Sequence, residues 1–347
     1  MNRTRAVMVG VALACLVFAG AFAADPFTTA ARNGPRARVV TVQDREATEA
    51  FRPIPERIQA MVERGLKGLT GKASSREAWL SLLSTQDVVG IKVYSAPGQN
   101  SGTRPTVAAT VAKSLIAAGL APRQIIVWDK FEVDLREAGF FALADELGIR
   151  VAASASAGYD PTNFYDTPLI VNLTWGDFEF GQTGDGIGRK SFVSKLVTRE
   201  MTKIINLTPL LNHNLAGVSG NLYGLAVGSV DNTLRFEADA TRLAKSVPEI
   251  YALASVGDKV VLSITDALIC QYEGGQRGLL HYSTVLNQLR FSRDPVALDM
   301  LSVKELDRQR RATKSPYLKP NFDLYVYAGL LELGVNDVTR IQVDLLK

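Results

Sequence analysis

The sequence predicts an α/β fold: a mostly parallel, doubly wound sheet with helices on both faces, plus an irregular subdomain near residues 155–195. Three observations carry this. From residue 85 onward, short apolar runs alternate with longer amphipathic stretches at the spacing of strand–helix–strand units. Several of those runs are continuously apolar, as strands covered on both faces must be. The chain has 347 residues, 47% hydrophobic and 21% charged, so it can bury a large core, and it contains no long low-complexity run.

Taken in order, the chain opens with Arg3 and Arg5 ahead of the apolar run VMVGVALACLVFAGAF, which closes on Ala21-Phe22-Ala23. A basic start, a short apolar stretch and an A-x-A site describe a signal peptide over residues 1–23, with a mature chain from Ala24 in the periplasm or outside the cell. The run is too short for a confident membrane span, and no transmembrane span is expected in the mature chain. Residues 24–84 are expected to form an N-terminal extended and helical segment. Within it, residues 25–50 should lie extended on the surface, PIPERIQAMVERGLKGLTG should be helical with its prolines at the start and glycines at the end, and REAWLSLLS should be a second helix.

The α/β domain is expected over 85–347. DVVGIKVYS is a buried-type strand, SAPGQNSGTRP a loop, and TVAATVAKSLIAAGL an amphipathic helix closed by Gly119. QIIVWD is the next strand, followed by a helix over VDLREAGFFALADELG and a short strand, IRVAAS. PLIVNLTW is expected as a strand and FEFGQTGDGIGRKSFVS as a hairpin or long loop. Its glycines Gly184, Gly186 and Gly188 lack the strand-to-helix setting of a dinucleotide fingerprint and are read as turns. SKLVTREMTKIINLTPLLNH should run from helix into strand, SVPEIYALASV should be helical, and DKVVLSITDAL a strand. DPVALDMLSVKELDRQRRA and NFDLYVYAGLLELG are helices, and TRIQVDLL the last strand.

Composition narrows the partners. The formal net charge is +4, and loss of Arg3 and Arg5 with the signal would remove two positive charges. No basic run remains, so no nucleic-acid partner is expected. Of the two cysteines, Cys15 lies in the signal run, leaving Cys270. One cysteine forms no internal disulfide, and no cysteine-ligated iron–sulfur cluster is expected; Cys270 reads as a buried small hydrophobe.

In open parallel sheets ligands bind beyond the carboxyl ends of the strands, where loops converge and helix N-termini present free N–H groups. Reading the strand ends picks out Lys92, Ser95 and the Gly98–Gly102 loop with Arg104 after the first strand, Asp129 after the second, and Asn172 and Thr174 after 168–173. Asn212 and His213 follow the strand at 203–208, and Asp266 follows that at 259–265. Each has an ordinary alternative: Asp129 and Asp266 as helix caps, Lys92 turned to solvent, the 98–104 loop as a simple crossover. His213, between Asn212 and Asn214 and ahead of glycine-rich backbone that includes Asn221, is the strongest candidate, as a general base or metal ligand. No His-x-x-His or cysteine cluster accompanies it, and Ser219 is not in a nucleophile elbow, so zinc and a serine triad are disfavoured; whether a metal binds stays open. His281, among apolar residues, reads as structural.

VVGIKVYSAPG, TVAATVAKSLIAAGL with QIIVWD, KIINLTPLLNHNLAGVSGNLYG, VVLSITDALICQYEGG, SRDPVALDMLSVKELD and AGLLELGV, in this order over most of 85–340, together resemble the family called domain of unknown function 362. The resemblance implies no assigned reaction. Some members carry ferredoxin-like cysteine motifs, which this chain lacks. The resembled pattern implies an asparagine where this chain has Tyr94, lysines at Leu211 or Asn212 and at Leu222 or Tyr223, and a proline at Gln276. Lost lysines would remove anion-binding charge.

These readings give one expectation. An exported protein binds a small anionic molecule in a cleft at the strand carboxyl ends, where it could also act on it. Lys92, Ser95, Gly98, Arg104, Asn212 and Asn221 would hold it, and His213, Asp266 and Asp129 would move a proton. The alternative is a non-catalytic ligand- or metal-binding protein, or an envelope assembly protein.

Overall fold

The structure is a computed structural model that describes residues 36–315 and 322–347; the expected signal peptide lies outside the described residues. Its strands are β1 Ala37–Gln43, the small hairpin β2 Thr48–Glu49 and β3 Arg52–Pro53, β4 Val89–Lys92, β5 Ile125–Asp129, β6 Arg150–Ala153, β7 Tyr159–Asp166, β8 Lys190–Ser194, β9 Lys203–His213, β10 Gly217–Val218, β11 Val260–Gln271, β12 Ser283–Ser292 and β13 Ile341–Leu346. The central sheet runs β13-β1-β12-β11-β9-β4-β5-β6, with β10 added against β9. Every pair is parallel except those made by β12, which runs antiparallel to β1 and β11, and the β9–β10 turn-back.

Helices cover both faces, as a doubly wound sheet requires. Pro55–Thr70, Ser75–Leu80, Pro105–Ala118 and Phe140–Leu147 cover one face, around Ile58, Trp79, Val111, Ile91 and Val127. Asn221–Ser229, Ala240–Tyr251, Pro295–Thr313 and Asp323–Leu330 cover the other, around Leu222, Val247, Val303 and Leu324. Pro55–Thr70 and Pro105–Ala118 begin on prolines, which lack the N–H that a first turn leaves unpaired, and end on Gly71 and Gly119 with positive φ.

Several expectations change. Residues 37–43 are not a surface segment: Val39, Val40 and Val42 are buried, and β1 sits inside the sheet between β13 and β12. The helix expected over 133–148 is broken at Gly139, whose φ of 90° no helix interior adopts. No strand forms at 168–173. The irregular region is instead the antiparallel pair β7–β8 joined by a long loop, so Asn172 and Thr174 lie in that loop rather than beyond a strand of the sheet. β11 continues past Asp266 to Gln271 through a bulge between Ala267 and Ile269, so Asp266 lies within a strand rather than at its end. The stretch read as glycine-rich backbone after His213 is a turn, β10, and the fully buried helix Asn221–Ser229. His281 is exposed in a short turn and stacks on Tyr282, 4.1 Å between centroids, rather than sitting among apolar residues. Cys270 is buried within β11 as expected, and burial pushes its thiol up.

Candidate functional site

The carboxyl ends of β4 and β5 lie side by side in parallel register, Lys92 opposite Trp128. Both strands carry apolar side chains up to their last residues, then turn polar. Lys92 is buried and its Nζ donates to Asp129 Oδ1 at 2.7 Å and to Val93 O at 2.6 Å. Asp129 also accepts from Ser95 N and Ser95 Oγ, both at 2.7 Å, and from Lys130 N at 2.8 Å. An ion pair this enclosed persists only because the remaining carboxylate lone pairs are also satisfied. The helix Asn221–Ser229 passes directly over it, and glycine is required there: a Cβ on Gly228 would collide with Lys92 Cε.

That helix is positioned from its N-terminus. Asp299, on Pro295–Thr313, accepts from Asn221 N at 2.7 Å, Asn221 Nδ2 at 2.9 Å and Leu222 N at 2.9 Å, capping the helix from another element. Burial holds the Asp299 carboxyl up at about 6, against the pull of those N–H groups. Asn221 is therefore a structural link, tied to Asp299 and, through its carbonyl, to Asn206 Nδ2 at 2.8 Å.

Between these ends, the helix Asn221–Ser229, the turn Leu234–Glu237 and the β7–β8 loop lies a cavity of about 360 Å³. Its aromatic wall comprises Tyr94, Phe131, Tyr159, Trp175 and Tyr223. Its charged lining comprises Asp129, Asp134, Asp177 and Glu237 against a single lysine, Lys130. Tyr223 donates to Glu237 Oε1 at 2.6 Å and accepts from Gln276 Nε2 at 2.7 Å. Asp177 accepts from Thr174 N at 2.7 Å and Asn232 N at 2.8 Å, fixing the turn that presents Trp175, whose exposure is 89%. Arg235, buried, ties the same loop down by donating to the carbonyls of Tyr165, Thr167, Leu169 and Arg189. Burial raises Asp134 to about 6, with Asp129 and Glu137 adding to the effect. Lys130 donates from Nζ to Thr233 Oγ1 at 2.8 Å, and burial lowers its pKa although Glu237, Asp177, Asp231 and Asp129 pull the other way.

Of the residues expected from the strand-end rule, Asp129 lines this cavity, with Lys92 and Ser95 bound to it from behind. Gly98 opens the short turn Gly98–Ser101 with φ 77° and does not line it. Arg104 and Asp266 form a second buried pair, 2.9 Å apart, with Arg104 N also reaching Asp266 Oδ2 at 3.3 Å. Asn212 accepts from Arg310 and donates to Asn214 Oδ1. His213 stacks on Tyr223, 4.2 Å between centroids, one ring removed from the cavity. Its Nδ1 accepts from Leu215 N at 3.2 Å and Ala216 N at 2.9 Å, which assigns the proton to Nε2. Burial lowers its pKa to about 4, so the ring is neutral near pH 7 and its basic nitrogen is occupied. Among the described residues no group of three or more His, Cys, Asp or Glu is arranged to hold a metal ion, and no helix is long and apolar enough to cross a membrane.

The strand-end reading missed Lys130, Tyr223 and Glu237. Lys130 directly follows Asp129, so the same rule reaches it one residue later. Tyr223 and Glu237 had no such signal, because the fully buried helix that carries Tyr223 has no amphipathic period.

Fold and cavity together define a doubly wound α/β domain with a polar and aromatic pocket at the carboxyl edge of its parallel strands. Residues 89–304 match the family described as "Domain of unknown function (DUF362)", and the chain belongs to that family. No curated protein matches the chain. A crystal structure of a protein from Thermotoga maritima is similar at 12% identity, with 78% of this chain and 62% of that one covered and a TM-score of 0.41. This chain thus spans less than two thirds of that protein's length.

Proposed function

We propose that this is an exported protein that binds a small organic cation, an amine or quaternary ammonium with a compact apolar body, in the cavity at the ends of β4 and β5. The observation that carries this reading is the lining itself: four carboxylates and one lysine set among five aromatic rings. Carboxylates and ring faces both attract a cation, and desolvation strengthens the attraction. The volume of about 360 Å³ is that of a small-molecule site.

The anionic ligand expected from the sequence is less well supported. Lys92 and Arg104, its expected anchors, are already paired with Asp129 and Asp266. Tyr94 and Gln276, two positions where the chain departs from the resembled pattern, line the cavity, and Tyr94 adds aromatic surface. The export reading rests on the N-terminal sequence alone.

The test is calorimetric titration of the protein with benzyltrimethylammonium and, separately, with benzoate of similar size. The expected result is saturable binding of the cation and none of the carboxylate, with quenching of Trp175 fluorescence. Binding of benzoate alone would return the anionic ligand. Binding of neither would sink the small-molecule reading and favour an assembly role. N-terminal sequencing of the protein from an expressing cell's envelope fraction should give Ala24 as the first residue; an intact Met1 start would overturn export.

A further inference from the structure

We infer that Lys130 is a nucleophilic amine that condenses with the carbonyl carbon of an aldehyde or ketone bound in this cavity. The inference rests on the cavity being a ligand site, but not on the natural ligand being a cation.

Three observations place it there. Lys130 is the single amine among the lining residues, immediately past the carboxyl end of β5 where the parallel sheet opens. Its neighbour Lys92 shows what a structural lysine looks like at this edge: buried, with Asp129 as a direct ion-pair partner at 2.7 Å. Lys130 has no such partner among the described residues. Its Nζ meets the Thr233 hydroxyl at 2.8 Å, and Asp129, the nearest carboxylate in sequence, is already saturated by Lys92, Ser95 and the Lys130 backbone N–H. An ammonium withdrawn from water without an ion pair loses its advantage over the neutral amine, and the neutral amine is the nucleophile. The depressed basicity of Lys130 agrees with this.

The step balances as follows. The Nζ lone pair attacks the carbonyl carbon, the C=O π pair moves to oxygen, and proton transfer from nitrogen to oxygen gives a carbinolamine. The C–O bond then breaks, the oxygen leaves as water after taking one more proton, and a cationic iminium remains, bonded to Lys130. The acidic lining suits that product: Asp177 and Glu237 lie on the walls around a positive charge that the free amine did not carry. Asp134, held up at about 6, is a proton source on the same wall. Thr233 is the positioning residue, holding the amine by its hydroxyl.

The experiment uses the folded full chain near neutral pH with cyclohexanone, an uncharged ketone, and sodium cyanoborohydride, which reduces an iminium to a stable secondary amine. Peptide mass spectrometry follows the rate of modification at each lysine, with exposed Lys72 and Lys245 as internal references. The expected result is labelling at Lys130 faster than at either reference by roughly tenfold or more, because an amine held in a cavity without an ion pair is the better nucleophile. The Lys130→Arg variant should lose this fast label while Lys72 and Lys245 are labelled at their wild-type rates. Labelling of Lys130 no faster than Lys72 and Lys245, in protein that binds the ammonium probe, overturns the inference. Fast labelling at Lys130 in protein that does not bind that probe supports it and instead removes the organic-cation reading.

Discussion

At the β4–β5 edge of the sheet, Asp129 and Lys130 border an open cavity, with Lys92 behind Asp129. At the β9–β11 edge of the same sheet, Arg104, Asp266, Asn212 and His213 are buried and joined to one another's neighbours. Both groups sit near the carboxyl side of parallel strands, and both are rich in the residue types that do chemistry. In the second group the charges and the imidazole are engaged internally, with only Arg104 nitrogens left without a hydrogen bond: Arg104 is ion-paired with Asp266, Arg310 holds Asn212, and two backbone N–H groups hold His213 Nδ1. The first has done so only in part. Lys92 and Asp129 are closed on each other, whereas Lys130 lines the cavity with the Thr233 hydroxyl and the Phe131 ring and, among the described residues, no carboxylate against its amine. Polar residues at strand ends therefore mark where a site is able to form, and what distinguishes a site is a charged group that lines a cavity without an ion-pair partner.

The largest effect should come from breaking the closed pair within the first region. Asp129→Ala leaves the Lys92 ammonium buried without a partner beneath the helix Asn221–Ser229, and removal of one member of a buried pair costs about 3–5 kcal/mol. Urea denaturation should show this loss. Lys92→Met combined with Asp129→Leu should recover most of it, since replacing both charges leaves nothing uncompensated. If the double variant is as unstable as Asp129→Ala, Lys92 and Asp129 are not acting as a pair.

Next in size is a pH effect that belongs to the second region. The folded pKa of His213 is lowered to about 4 by burial, while an unfolded histidine titrates near 6.5. The unfolded chain therefore takes up a proton first as pH falls, and the contribution of neutral His213 to stability is lost between about 6.5 and 4. The full loss is about 3 kcal/mol, given that His213 is only 9% exposed. Asp231 and Asp299, both raised to about 6, work in the opposite sense: their protonated forms favour the fold below their unfolded values, and that contribution is lost as pH rises through about 6. Wild-type stability alone thus mixes the two. Comparison with His213→Gln, which keeps an acceptor for the Leu215 and Ala216 N–H groups but does not titrate, isolates the histidine. The variant should gain on the wild type steadily from pH 7 to pH 4; a constant difference would mean that the ring is protonated or solvated in the native state.

The same contrast explains how much was legible in the sequence. The strand–helix units from β4 to β6 follow from local patterning, because each strand is a short apolar run between helices with clear caps. β1 and β12 were missed because their place in the sheet comes from long-range pairing: β1 joins β13 and β12, about three hundred and two hundred and fifty residues away. A strand's position in a sheet is not written in its own residues. Asp129 was found because a carboxylate past an apolar run is conspicuous. Its saturation by Lys92 and Ser95 was not, since side-chain pairing at the strand ends depends on the register of β4 against β5. His213 drew notice as a rare residue type, and rarity says nothing about whether a nitrogen is free.

The smallest effects separate the two regions most sharply, because they ask which one a ligand senses. Glu237 lines the cavity and His213 lies behind Tyr223, so single substitutions at the two positions should give opposite answers. Glu237→Gln preserves an acceptor for the Tyr223 hydroxyl while removing one negative charge from the wall. It should weaken benzyltrimethylammonium binding by about tenfold, or 1.4 kcal/mol, as expected for one charge lost at a partly desolvated site. His213→Gln removes the ring stacked on Tyr223 but no charge near neutral pH and no lining atom, so binding should stay within about twofold, the difference that a slight shift of Tyr223 produces. Equal and large losses in both would mean that Tyr223 transmits its packing to the ligand and that the two regions form one site. A loss at His213 alone would move the ligand to the β9–β11 edge, where the sequence first pointed.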